Sequence, residues 1–333
     1  MHVFFDSDDC DRNVSNVLVG KLDPNGYHPP YLVNCEFIEQ APNNEIITTL
    51  VEETIDSLGI RDRGHFKALL SDGVSYMVKA GKNLKEMYKC LIHITCLVHA
   101  LHRVCEEVKA MCSKLNKLIT TVKQIYRKAG SRVLAWKKAY PHVPVPPLPC
   151  LTRWGTWIEA ALYYHQYFDA VHDMVNRLKD VDAAAIPKAK KLLDSQDLAN
   201  QLQWVARNLG FLPEIIKRME EEGLTVQESI GLLDEAGEKV AALKGNTDLE
   251  AKMVERLKAK FDSVVEKNPD IGVIRGMLHP AMSGEKLSNE LSLLKYCPVT
   301  NVDCERSFSY ELSHFVTFPE YSDLRKNCRT IHK

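Results

Sequence analysis

Hydrophobic and polar positions follow two regimes along the chain. His2 to Phe5 is a short apolar run that stops at Asp6. Val14 to Leu22 is strand-like, Asp23-Pro24-Asn25-Gly26 is a turn sequence, and Tyr31 to Ile38 is a third run. Three such runs joined by short turns predict an antiparallel meander. Ile46, Ile47, Leu50, Val51, Ile55 and Leu58 then recur at helical spacing and predict a helix over 44–58. His65 to Leu70 reads as a buried strand stopped by Ser71-Asp72-Gly73. Val74 to Leu84 reads as a second helix, and Cys90 to Thr95 as a fifth strand or the opening of a helix.

The order β-β-β-α-β-α-β is that of an RNase H-like domain, in which strands cross over through helices after an antiparallel start. From residue 97 the pattern turns helical. Residues 97–140 predict one or two long helices, and Pro141, Pro144, Pro146, Pro147 and Pro149 then predict a stiff extended connector. Thr156-x-x-Glu159, Thr225-x-x-Glu228 and Thr247-x-x-Glu250 have the form of capping boxes that start later helices. The expected class is therefore α/β (α+β): an RNase H-like mixed sheet interrupted by a large all-α insertion. Its parts are a first core segment (1–97), the helical insertion (98–295, with the connector at 141–149), a return segment of the core (296–310) and an irregular tail (311–333).

Composition narrows the picture. The chain has 333 residues, 45% of them apolar and 26% charged, which excludes a disordered or fibrous chain. The net charge of -1 excludes a globally basic nucleic-acid coat but leaves room for a local patch. Segment 103–138 is such a patch: ten Lys or Arg, among them Lys123, Arg127 and Lys128, stand against Glu106 and Glu107. It reads either as a track for a phosphate backbone or as a solvated helix face. No apolar run is long enough to span a membrane, and the acidic start does not resemble a signal peptide. A soluble intracellular protein with reduced cysteines is expected.

Three acids stand where chemistry could gather. Asp6 and Asp72 each end a strand, and Glu305 opens a polar segment near the far end. Carboxylates converging on one sheet edge would repel unless a cation such as Mg²⁺ neutralised them, and such a site performs phosphoryl transfer. Taken singly, an Asp after a strand is more ordinarily a turn former or helix cap. Cys96 and His99, with His93 and His102 nearby, suggest metal ligands, but one helix cannot wrap four ligands around one ion. The plainer reading is a packed junction between sheet and helices, and no zinc finger is evident. Trp157 reads as a core residue, as does the aromatic run Tyr163, Tyr164, Tyr167 and Phe168.

The segment Ser71-Asp72-Gly73-Val74-Ser75-Tyr76-Met77-Val78-Lys79-Ala80-Gly81 resembles the block around the second catalytic aspartate of hAT-superfamily transposases. Cys96-x-x-His99 resembles their CxxH element, Thr152-Arg153-Trp154 their TRW element, and Cys297 to Ser309 the block that holds the catalytic glutamate. Four motifs in order cover residues 1–309. The resemblance implies an RNase H-like core with a helical insertion, and Asp6, Asp72 and Glu305 as Mg²⁺ ligands of a DDE-type strand-transfer site. A slip of two residues gives the first role to Asp8. It also implies that Trp154 stacks on a flipped base, with Cys96 and His99 shaping the site. Arg153 would then contact a phosphate of the DNA or a carboxylate; the plainer reading of the pair is a core tryptophan beside a salt-bridged arginine.

The chain also departs from that family. It starts almost at the first catalytic strand, with no zinc finger before Asp6, and the stretch after Glu305 is polar where the family has dimerising helices. The expectation is a nuclear, transposase-derived protein that binds DNA without sequence preference, has lost or impaired strand-transfer chemistry, and carries a truncated homodimer surface. The alternatives are an active Mg²⁺-dependent transposase or nuclease and a non-catalytic protein-interaction scaffold.

Overall fold

The computed structural model describes residues 2–7, 13–60, 63–147, 155–278 and 292–303. The chain divides into two compact units. One comprises the described residues of Met1–Ala100, Met219–Gly231 and Val265–Lys333, and the other Leu101–Arg218 with Leu232–Val264. The sequence pattern assigned all of 98–295 to the helical block; residues 219–231 and 265–278 and the described residues 292–303 group instead with the sheet.

In the first unit five strands form one mixed sheet: β1 (His2–Ser7), β2 (Asn13–Val19), β3 (Tyr31–Ile38), β4 (Ala68–Ser71) and β5 (Ile92–Thr95). Their order is β3-β2-β1-β4-β5. The first three pair antiparallel, with a register shift between Val17 and Leu18, while β4 runs parallel to both β1 and β5. The reversal between β2 and β3 is built around Asp23. Its carboxylate accepts hydrogen bonds from Lys21 Nζ and the Asn25 N–H, both at 3.0 Å. This is the Asx geometry that Asp-Pro-Asn-Gly favours.

Helices α1 (Asn44–Ser57) and α2 (Ser75–Met87) cover one face of that sheet. Asn43 caps α1, its Oδ1 accepting the N–H groups of Glu45 and Ile46 at 2.9 and 3.0 Å. The apolar stripe of α1 (Ile47, Leu50, Val51, Ile55) meets Met77, Ala80 and Leu84 of α2 over Val17 and Leu69 of the sheet. Each of the Ile, Leu, Val and Met side chains contributes about 1.5–3 kcal/mol on burial. Strand β4 begins at Ala68, three residues later than the apolar run suggested, because Arg63–His65 forms a 3₁₀ turn. Phe66 leaves that turn to pack edge-on against Tyr88, their ring centroids 5.0 Å apart.

The remaining helices are α3 (Leu97–Met111), α4 (Ser113–Tyr126), α5 (Gly130–Ala139), α6 (Thr156–Gln166), α7 (Phe168–Arg177), α8 (Ala185–Leu193), α9 (Gln196–Asn208), α10 (Phe211–Met219), α11 (Val226–Ala242), α12 (Asp248–Glu266) and α13 (Ile271–Leu278). Within the second unit α4 is central. Its Leu115, Leu118, Ile119, Val122, Ile125 and Tyr126 are buried, and α5, α6, α8 and α9 pack on it. Residues 97–140 thus form three helices rather than one or two. The breaks fall at Cys112 and at Arg127–Ala129, where Lys128 takes a left-handed φ of 55°.

Two of the three capping boxes form as expected at the Thr side. Thr225 N–H donates to Glu228 Oε2 at 2.8 Å while Glu228 N–H donates to Thr225 Oγ1 at 3.1 Å. Glu250 N–H donates to Thr247 Oγ1 at 3.2 Å, but the Glu250 carboxylate accepts the N–H of Asn246 and the Arg207 guanidinium. At the third, the cap is Gly155, left-handed at φ 71°, and Thr156 is already helical. In its described part, residues 141–147, the proline connector opens with a turn rather than an extended run: Val143 N–H donates to Tyr140 O at 3.1 Å. It is held where Trp136 Nε1 donates to Val143 O and Tyr163 OH to Pro144 O. Trp157 and Tyr164 are buried as expected, and Trp157 Nε1 donates to Asn116 Oδ1 at 3.0 Å. Among the described residues no helix is long and apolar enough to cross a membrane.

Candidate functional site at the ends of the parallel strands

Parallel strands end on the same edge of a sheet, and loops there collect ligand-binding groups. Strands β1 and β4 are parallel, with Val3 opposite Ser71. Asp72 follows Ser71 directly. Asp6 lies three residues past Val3 on the neighbouring strand, so the two acidic positions lie toward the same end of adjacent strands. The side chain of Asp6 lies outside the described residues, as do Asp8, Arg153, Trp154 and Glu305.

Asp72 is half-buried, and its Oδ1 accepts the N–H of Gly73 at 2.5 Å. This is the turn-forming role of an Asp after a strand, and it also fixes the carboxylate at the edge. Tyr76, the second residue of α2, senses that charge: burial and then Asp72 raise its phenol above the ordinary tyrosine value.

The Cys96-x-x-His99 pair spans a helix start. Ala100 N–H donates to Cys96 O at 3.1 Å, which makes Cys96 the N-cap of α3 and His99 its third helical residue. Cys96 Sγ accepts from the backbone, including the Asn301 N–H at 3.2 Å. Burial pushes its thiol up to about 12, with N–H donors opposing and the charge of Asp72 adding to the rise. A protonated, hydrogen-bonded thiol at a cap is a structural group, not a metal-ready thiolate. His93 stands on β5 and His99 and His102 on α3, so the four residues do not share one helix. Among the described residues no set of three His, Cys, Asp or Glu could hold a metal ion.

The return segment reaches this edge. Leu97 N–H donates to Val299 O at 3.0 Å, Asn301 N–H to Cys96 Sγ, and Tyr27 OH to Asp303 Oδ2 at 2.9 Å. Cys96 N–H donates in turn to Ser71 O at 2.9 Å, one residue before Asp72. Residues 297–303 therefore run beside the β4–β5 edge, bonded on one side to the N-terminus of α3 and on the other to the β2–β3 reversal.

Behind Asp72 sits a buried polar chain that the sequence pattern did not reveal. Ser71 Oγ donates to Asp72 O at 3.0 Å and stands 2.8 Å from His93 Nε2. Because the hydroxyl proton is already used, His93 is best satisfied as the Nε2–H tautomer, donating to Ser71. Burial holds its imidazole neutral, with a pKa lowered to about 4. The Asp270 carboxylate accepts the His93 N–H at 2.7 Å and the Lys85 ammonium at 2.7 Å. Asn268 pairs with both backbone groups of Thr95, donating to its carbonyl at 2.8 Å and accepting its N–H at 3.3 Å. Asn268 and Asp270 thus cover the open edge of β5, which would otherwise expose unpaired backbone groups.

The basic segment is dispersed by the helix breaks. Lys123 is on the last turn of α4, and the exposed Arg127 and Lys128 lie in the break before α5. Lys114 is paired with Asp197, and Arg132 donates to the carbonyls of Ile125 and Asp182. Lys117, Lys137 and Lys138 remain exposed. The ten basic residues are therefore not one continuous face.

No protein-family model matches the chain, and no curated protein matches it.

Proposed function

We propose that this chain is a transposase-derived, DNA-binding protein of the hAT type, built on an RNase H-like core with a helical insertion. The observation that carries the reading is the β4–β5 edge. A β3-β2-β1-β4-β5 sheet, antiparallel and then parallel, sets Asp72 beside the strand of Asp6, and the segment that leads into Glu305 is bonded to Cys96 at that edge. The exposed Lys117, Arg127, Lys128, Lys137 and Lys138 are the phosphate contacts of the helical unit, with Lys123 beside them. Binding through such residues is sequence-blind and falls with salt. Fluorescence anisotropy with a labelled duplex of about 30 base pairs, from ~50 to ~250 mM KCl, tests it. A linear fall of log affinity with log salt is expected, weakened in the Lys123→Gln/Arg127→Gln/Lys128→Gln variant. Salt-independent binding, or none, refutes the reading.

A second reading, metal-dependent strand cleavage through Asp6, Asp72 and Glu305, draws on the same edge. Glu305 follows the anchored Asn301 by four positions in the sequence, which is what supports counting it with Asp72 in this reading. Mg²⁺ held there would supply a polarised water or 3′-hydroxyl; Asp72 would be one ligand. Incubating supercoiled DNA with the protein and Mg²⁺ decides this reading. Nicking that disappears in Asp72→Asn supports it, and nicking that persists in Asp72→Asn, or no nicking by the wild type, removes it.

A further inference from the structure

Helix α2 and the turn after it carry a row of lysines: Lys79, Lys82, Lys85 and Lys89. They rim a groove of about 560 Å³ on the first unit, floored by Val78, Pro269 and the lysine stems. At 1.5 Å of rise per residue, Lys79 to Lys85 covers about 9 Å of helix axis, and Lys89 extends the row beyond it. Lys85 is committed to Asp270. Lys79, Lys82 and Lys89 are exposed and make no ion pair among the described residues, and Glu86 is the carboxylate in the lining.

Lys79 and Lys82, three residues apart on α2, and Lys89 just past its end put three ammonium groups against one carboxylate, Glu86, along the groove, in a chain whose overall charge is close to neutral. A linear polyanion laid along the row balances that excess of positive charge. A lone phosphate would instead need donors converging on one point, whereas Lys79 and Lys89 stand ten positions apart, one on α2 and the other beyond its end. The aliphatic stems and Val78 give the floor an apolar surface on which sugar and base edges can rest.

We propose that this groove holds the phosphodiester backbone of a nucleic-acid strand. The inference rests on the DNA-binding reading above but uses a different surface, in the sheet-containing unit rather than in segment 103–138.

The test compares three full-length proteins: wild type, Lys79→Gln/Lys82→Gln/Lys89→Gln, and Lys123→Gln/Arg127→Gln/Lys128→Gln. A labelled single strand of about 30 nucleotides is titrated from ~50 to ~250 mM KCl. The groove variant is expected to bind about 10-fold more weakly at ~100 mM KCl. Its plot of log affinity against log salt should be shallower by about 2, the value for three lost phosphate contacts on a single strand. Acetylation of the wild type should in addition show Lys79, Lys82 and Lys89 protected by the oligonucleotide, a readout that needs no variant to fold. A groove variant with wild-type affinity and slope, and no protection, overturns the inference; if the other variant is weakened, the DNA-binding reading stands without it. Wild-type protein that shows no salt-dependent binding overturns both. Competition by tripolyphosphate as effective, per phosphate, as by the oligonucleotide also overturns it, because it marks a small-anion site.

Discussion

The imidazole of His93 lies against the backbone of Gly81. A methyl group built on Gly81 would fall 2.0 Å from His93 Nδ1. Helix α2 can approach β5 this closely because residue 81 has no side chain, and the polar chain from Ser71 through His93 depends on that approach.

Gly81→Ala is therefore expected to destabilise the protein by about 1–3 kcal/mol, despite the better helix propensity of alanine. Urea unfolding measures it. Gly81→Ala/His93→Ala should be less unstable than the sum of the two single variants, because the clash is absent in the double variant. Strict additivity would show that the contact carries no energy.

Stability should depend on His93 protonation. The folded imidazole titrates near 4 and the unfolded one near 6.5, so between these values the unfolded state binds more protons. The contribution is fully present above about pH 6.5 and is lost as pH falls toward 4, with a magnitude on the order of 3 kcal/mol. His93→Gln, which can still donate to Ser71, should remove this part of the pH dependence. Unfolding free energies of the two proteins across that window provide the comparison, and parallel profiles would contradict the assignment.

Asp270→Ala should cost about 3–5 kcal/mol. It strips the ammonium of Lys85 and the buried N–H of His93 of their shared acceptor at once. Amide hydrogen exchange should locate the damage, with His93 and Thr95 losing protection while α4 keeps it. Equal loss in both places would mean global unfolding rather than an opened edge.

Cysteine chemistry separates the buried thiols from the surface. Burial pushes Cys96, Cys105 and Cys112 up to about 12, whereas Cys90 is exposed. Iodoacetamide on the native protein should modify Cys90 and spare those three. Cys96→Ser should be tolerated, because a hydroxyl also accepts the Asn301 N–H. Cys96→Val should lower the melting temperature by a few degrees, about 1–2 kcal/mol for a lost cap.

Much of the sheet was legible because alternation and turn chemistry are local. Asp23-Pro24-Asn25-Gly26 and the helical spacing of Ile47, Leu50, Val51 and Ile55 point to the elements found. Errors arose where a neighbour intervened. The apolar run from His65 includes Phe66, which packs on Tyr88 rather than joining β4. Thr156 loses its cap position to a left-handed Gly155. At the candidate site, Asp72 was visible as an acid after a strand. Asn268 and Asp270 were not, since a polar side chain that completes a strand edge 173 or 177 residues away leaves no periodic trace. The lysine row on α2 was hidden by its ordinary appearance: in the sequence it is simply the solvent side of an amphipathic helix.

The span of the Asn301–Cys96 contact, 205 residues, has a consequence for biosynthesis. At about 5–20 residues per second, β5 leaves the ribosome on the order of ten seconds or more before the segments that seal its rim. During that delay the nascent chain presents a bare strand border while later helices are still being made. Newly synthesised protein should therefore lean on strand-shielding chaperones, and substitutions at Asn268 or Asp270 should reduce yield in cells by more than their effect on the finished fold.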